Sequence, residues 1–151
     1  VIIPLALAGC LKSEGNENGA ESEEEAAVET IKGFAFNATE NLLIAINLPS
    51  YTQFSRNFTD ELKQSFTEED FKNFSSAIIE EHGLYSRNTS KQYLEETKEN
   101  EDETVTFIIG SEFVKEGQTD TKKVPFQITY KMVDGEPKIV SLQLGDKEIK
   151  P

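Results

Sequence analysis

The sequence predicts an α+β domain, with three N-terminal helices packed on a curved four-stranded antiparallel sheet. Two changes of period carry that expectation. Between Val28 and His82 the apolar residues recur at steps of three and four, the repeat of an amphipathic helix. Beyond Thr104 they alternate at a step of two, the repeat of a half-buried strand. A third observation is Asp134-Gly135, a tight-turn pair lying between two alternating runs.

The elements follow in order. Val28, Ile31, Phe34, Ala35, Ala38, Leu42, Ala45 and Ile46 share one helical face. That helix stops near Asn47, because Pro49 disfavours helical geometry at Leu48 and removes a backbone donor. Phe54, Phe58, Leu62 and Phe66 are four apart and predict a second helix over 53–66. Thr67-Glu68-Glu69-Asp70 opens a third helix through an aspartate form of the capping box, and Phe71, Phe74, Ile78 and Ile79 form its buried face. Gly83 is placed to end it in a left-handed cap. An extended segment over Leu84–Glu96, with Tyr85, Tyr93 and Leu94, supplies the first strand. The second carries Val105, Phe107 and Ile109 on one face, and the third carries Val124, Phe126, Ile128, Tyr130 and Met132. Val140, Leu142 and Leu144 give the fourth its inward face, so residues 124–144 form a hairpin.

Composition narrows what the domain does. The 151 residues hold 15 Lys+Arg against 28 Asp+Glu, and a formal charge of -13 repels a phosphate backbone, which argues against nucleic acid as a partner. One cysteine excludes an internal disulfide and a cysteine-based zinc site, and one histidine excludes a histidine-rich metal centre. No metal, cofactor or catalytic residue is assigned. The apolar run Val1–Gly9 is about half the roughly 20 residues a membrane-spanning helix needs.

Leu7-Ala8-Gly9-Cys10 resembles the lipobox of prokaryotic lipoproteins. The resemblance implies that residues 1–9 are the remnant of a signal peptide and that the Cys10 sulfur carries a diacylglycerol, whose two chains suffice for stable anchoring. Residues 10–27 would then be a lipidated cysteine followed by an acidic, disordered tether, and residues 28–151 a single domain. The implied location is the cell surface or the periplasmic side of a membrane.

Residues 47–88 show a short turn at Ser50–Phe54, a phenylalanine-rich helix at Phe58–Phe66, the Thr67–Glu69 cap and a Gly83–Ser86 exit. With the strands that follow, this pattern resembles small nuclear transport factor 2-like or cystatin-like lipoprotein domains. The resemblance implies a cone-shaped fold that elsewhere serves binding modules, enzymes and proteins of no assigned activity, so fold alone assigns no function.

Candidate chemistry is sparse. His82 titrates near neutrality by default, yet its place at a helix C-terminus fits interaction with the helix dipole, and no acid falls on the inward parity of the strands to pair with it. Phe34, Phe36, Phe107, Phe126 and Tyr130 either fill the space between helix and sheet or line a small apolar pocket there, where the Tyr130 phenol would need a hydrogen-bond partner. The acidic clusters at Glu21–Glu25 and Glu99–Glu103 lack the spaced ligands and central glycine of a calcium loop. Asn37, Asn57, Asn73 and Asn88 each begin an Asn-x-Ser/Thr sequon, a glycosylation signal where the host glycosylates secreted proteins.

These observations favour a membrane-anchored extracytoplasmic module that binds a protein or small-molecule partner without catalysis. A ligand carrier or sensor would use the cone interior, and an enzyme of the same fold would need inward polar groups. A homodimer through the sheet is the further partner considered, against which Gln127, Thr129, Lys131, Ser141 and Gln143 give the outer face a polar character.

Overall fold

The computed structural model describes residues 17–86 and 93–151, with side chains from Val28 onward except that of Tyr93. Cys10, Asn88 and the segment 1–16 lie outside the described residues. The architecture is α+β, with helices packed on a curled antiparallel sheet. Four helices and six strands are described, not the expected three and four.

Helix α1 (Glu17–Asn47) ends where expected but begins well before Val28, so the expected disordered tether over 10–27 is helical from Glu17. Ala20, Ala26, Ala27 and the glutamates 21 and 23–25 are strong helix formers, and early acids suit the positive helix end. Repulsion between like charges a turn apart costs only about 0.2–0.5 kcal/mol per pair.

The expected helix over 53–66 is broken into α2 (Tyr51–Phe54) and α3 (Asp60–Ser65). Residues 57–59 bond to the sheet instead of to their own helix: Ile139 N–H donates to the Asn57 carbonyl (2.7 Å) and Thr59 N–H to the Ile139 carbonyl (3.0 Å). Thr59 then caps α3 by accepting the Leu62 N–H at 3.2 Å. Phe54, Phe58, Leu62 and Phe66 are all buried, although one helix does not carry them.

Helix α4 (Glu68–His82) starts at the capping box read from the sequence: Thr67 Oγ1 accepts the Asp70 N–H (3.2 Å) and Asp70 Oδ2 accepts the Thr67 N–H (2.9 Å). Gly83 ends it, with its N–H donating to the Ile79 carbonyl. Its φ of 93° and ψ of -155° lie in the region open only to glycine, not in the left-handed helical region expected.

Strands β1 (Leu84–Tyr85) and β2 (Tyr93–Glu99) replace the single extended segment of the sequence reading, and both pair with β3 (Val105–Val114) along the same side. Strands β4 (Lys122–Val133), β5 (Glu136–Leu144) and β6 (Lys147–Ile149) follow in order, every pairing antiparallel. The hairpin turn is Asp134-Gly135, with φ of 52° and 82°, the positive pair that a right-twisted two-residue loop requires. The inward faces of β3 and β4 are as read, Phe107, Ile109, Phe126, Ile128 and Tyr130 being buried. Strand β5 departs from the reading. The register shifts so that Thr129 faces Ser141 while Tyr130 faces Ile139. A bulge at Val140 therefore turns Ile139 into the core and leaves Val140 half-buried.

The first edge of the sheet is closed by a side chain. Tyr85 N–H donates to Asn47 Oδ1 and Asn47 Nδ2 donates to the Tyr85 carbonyl, both at 3.0 Å, so the carboxamide at the end of α1 takes the place of a neighbouring strand. Tyr85 Oη also donates to Glu40 Oε1 at 2.5 Å, a second link between α1 and β1. Asn47→Ala removes the partner of two half-buried backbone groups and is expected to cost roughly 1–3 kcal/mol. Urea unfolding, together with faster exchange of the Tyr85 amide, checks this.

Candidate functional site

Three places bring chemistry-bearing side chains together. The first lies under α1, on the face where Ala35 and Ala38 are buried. Tyr130 is fully buried there, with Phe34 edge-on to its ring at 5.9 Å and Phe107 at 6.0 Å. The structure does not gather all five aromatic residues of the sequence reading. Phe36 follows Phe34 by two residues, about 200° around the helix, so it flanks the other side of the buried stripe. Phe126 is buried on the same face as Tyr130 but four residues along β4, about 13 Å away at strand spacing.

Thr39 completes this place. It was not singled out in the sequence, although it is a polar residue on the apolar face of α1. The Thr39 and Tyr130 hydroxyls are both buried and neither makes a hydrogen bond of good geometry. Burial raises the Tyr130 phenol well above its ordinary range, and the nearby Thr39 hydroxyl opposes the rise. At neutral pH the pair is therefore uncharged and able to hydrogen-bond a small group but not to transfer a proton readily.

The second place surrounds His82 at the end of α4. Its Nε2 is buried without a hydrogen bond, 3.8 Å from Glu81 Oε1, and its ring packs 6.1 Å from Phe113. Gly145 in the β5–β6 turn lies against it: a Cβ built there would stand 3.2 Å from His82 Nε2. The Glu81 carboxylate thus meets the imidazole at ion-pair distance and not at hydrogen-bond distance.

The third place is a surface groove of about 480 Å³ between α4 and β6. Phe66, Phe74 and Ile149 are buried along it and Ala77 is half-buried, while Asp70, Asn73, Glu148 and Lys150 are exposed at its rim. No periodic signal marked it, since β6 is three residues long.

The acidic run Glu99–Glu103 covers the last residue of β2 and the β2–β3 turn. Asp102 Oδ1 accepts from Thr104 Oγ1 at 2.6 Å and from Thr104 N–H at 3.2 Å, which holds its carboxyl below the usual carboxylate range. Three sequons have a buried hydroxyl residue: Thr39, Thr59 and Ser75. Asn37, Asn57 and Asn73 thus stand in stretches whose third residue is enclosed by the fold. No known protein family and no curated protein matches the chain.

Proposed function

We propose that the protein is a lipid-anchored extracytoplasmic lipoprotein whose domain, of the nuclear transport factor 2-like or cystatin-like kind, is a non-catalytic interaction module. The observation that carries this reading is Leu7-Ala8-Gly9-Cys10, with helix α1 starting seven residues after the cysteine. An acylated Cys10 would place a folded domain close to the bilayer, with two acyl chains supplying nearly all of the membrane affinity. Fractionation of cells expressing the full-length gene tests it. Cys10→Ser is expected to move the protein from the membrane to the soluble fraction, and retention at the wild-type level would overturn the anchor.

A second reading is favoured by Tyr130 and Thr39, whose buried hydroxyls lack good partners. In that reading the cone interior holds a small ligand by a hydrogen bond from the phenol, with Phe34 and Phe107 enclosing it. Such a ligand would raise the melting temperature of the wild type and not of Tyr130→Phe.

A further inference from the structure

The end of α4 and the start of β6 are tied by one carboxylate oxygen that stands between two basic side chains. Glu81 Oε1 lies 3.4 Å from Lys147 Nζ and 3.8 Å from His82 Nε2. Lys147 has a second carboxylate in reach, Asp146 Oδ1 at 3.6 Å, in the turn that precedes β6. His82 Nε2 itself is buried and makes no hydrogen bond. Gly145, in the same turn, is close against it, since a Cβ there would stand 3.2 Å from the ring nitrogen.

Two arrangements are open to these four side chains. With a neutral imidazole, two carboxylates share the Lys147 ammonium, and its contact with Glu81 links β6 to α4. A proton on Nε2 makes a charged donor whose burial requires an acceptor. Glu81 Oε1 comes within hydrogen-bond distance of it by moving about 1 Å. Lys147 then keeps Asp146 as its partner. Each carboxylate now has a cation of its own, but both pairs are local, Glu81 with His82 in α4 and Lys147 with Asp146 at the β5–β6 turn. The link between helix and strand is lost. Among the described residues the other elements around the imidazole bring Phe113 on β3 and Val124 on β4, both uncharged. Exposed Lys122, opposite Phe113, and Lys115, against Gly83, are cations and accept no hydrogen bond.

We propose that His82 is a pH-sensitive latch, whose protonation draws Glu81 away from Lys147 and frees the start of β6, an edge strand of the sheet, from α4. The latch is separate from the lipid anchor and from the Tyr130 interior.

The full chain is tested by NMR between about pH 8 and about pH 5.5, which brackets the ordinary imidazole range. One histidine in the chain gives one Cε1 proton signal, so its titration is read directly. The quantity measured beside it is the protection of the Lys147 and Ile149 amides, in register with Leu144 and Leu142, against hydrogen exchange, corrected for the intrinsic rate at each pH. Wild-type protection is expected to fall about two- to fivefold on the acid side, the scale of one partly exposed ion pair, with the midpoint of the histidine signal. His82→Gln takes up no proton and is expected to hold the high value at both ends of the range. Glu81→Gln lacks the link and is expected to hold the low value at both. Asp146→Asn removes the second partner of Lys147 and is expected to shrink the acid step. Unchanged protection of the β3 and β4 amides separates these effects from loss of fold. A flat wild-type profile across the histidine titration would overturn the proposal, as would an acid step that persists in His82→Gln or in Glu81→Gln.

Discussion

Replacing Phe54 by alanine is expected to lower the unfolding free energy by roughly 3–5 kcal/mol, the usual cost of truncating a buried aromatic ring. Phe54 is fully buried and its ring centroid lies 4.7 Å from Phe71, 5.6 Å from Phe58, 5.7 Å from Phe74 and 6.1 Å from Phe66. It thus joins α2, the segment that bonds to β5, the end of α3 and the face of α4. Those four rings are held by capped helix ends and by main-chain bonds to Ile139, so they have little freedom to close over the space left. The loss falls at the high end of the range for that reason. Against a total stability of about 5–15 kcal/mol for a typical domain, one substitution removes a large share. Guanidinium titration reads the effect as a shifted midpoint at unchanged slope. A loss below about 1 kcal/mol would mean that the cluster repacks freely.

Gly83→Ala is expected to be nearly as costly through a different cause. The backbone conformation there is one that only glycine holds without strain, which for another residue costs about 1–3 kcal/mol. A Cβ at this position would also run into the Val114 carbonyl oxygen and come within 2.7 Å of Lys115 Cα, both main chain and both unable to rotate away. Relief requires α4 to move off the end of β3, which would disturb the pairing of Tyr85 with Phe113 and the burial of both. The sum is expected at about 3 kcal/mol or more, read by thermal and denaturant unfolding. Alanine tolerated there at wild-type stability would show that the α4–β1 junction adjusts at little cost.

Where a stretch obeys its own local rules, sequence and structure agree. The Thr67 cap, the α4 face, the Asp134-Gly135 turn and the inward sides of β3 and β4 are set by residues within a few positions of one another. What escaped depends on distant neighbours. The break after Phe54 is made by bonds to Ile139, and the bulge at Val140 exists only relative to β4. The Asn47 carboxamide meets a strand 38 residues away, a meeting that no period announces. Residues 17–27 depart from expectation for another reason: their charge suggests disorder, while alanine and glutamate favour the helix. Of the interior site, Tyr130 was legible as a phenol on an inward parity. Thr39 gives no such signal, because one hydroxyl among apolar residues does not disturb the helical repeat.

The two sides of the sheet are unlike, and this bears on stoichiometry. The Asn47 carboxamide already occupies the outward groups of β1. Strand β2 presents exposed Glu95, Glu96, Lys98 and Glu99 and loses register between Leu94 and Glu96, which discourages a flat neighbour. On the other side β6 is three residues long, and Ser65 Oγ donates to the Lys150 carbonyl at its end. Among the described residues neither side thus offers a long flat edge to a second copy, which disfavours edge-to-edge growth of the sheet.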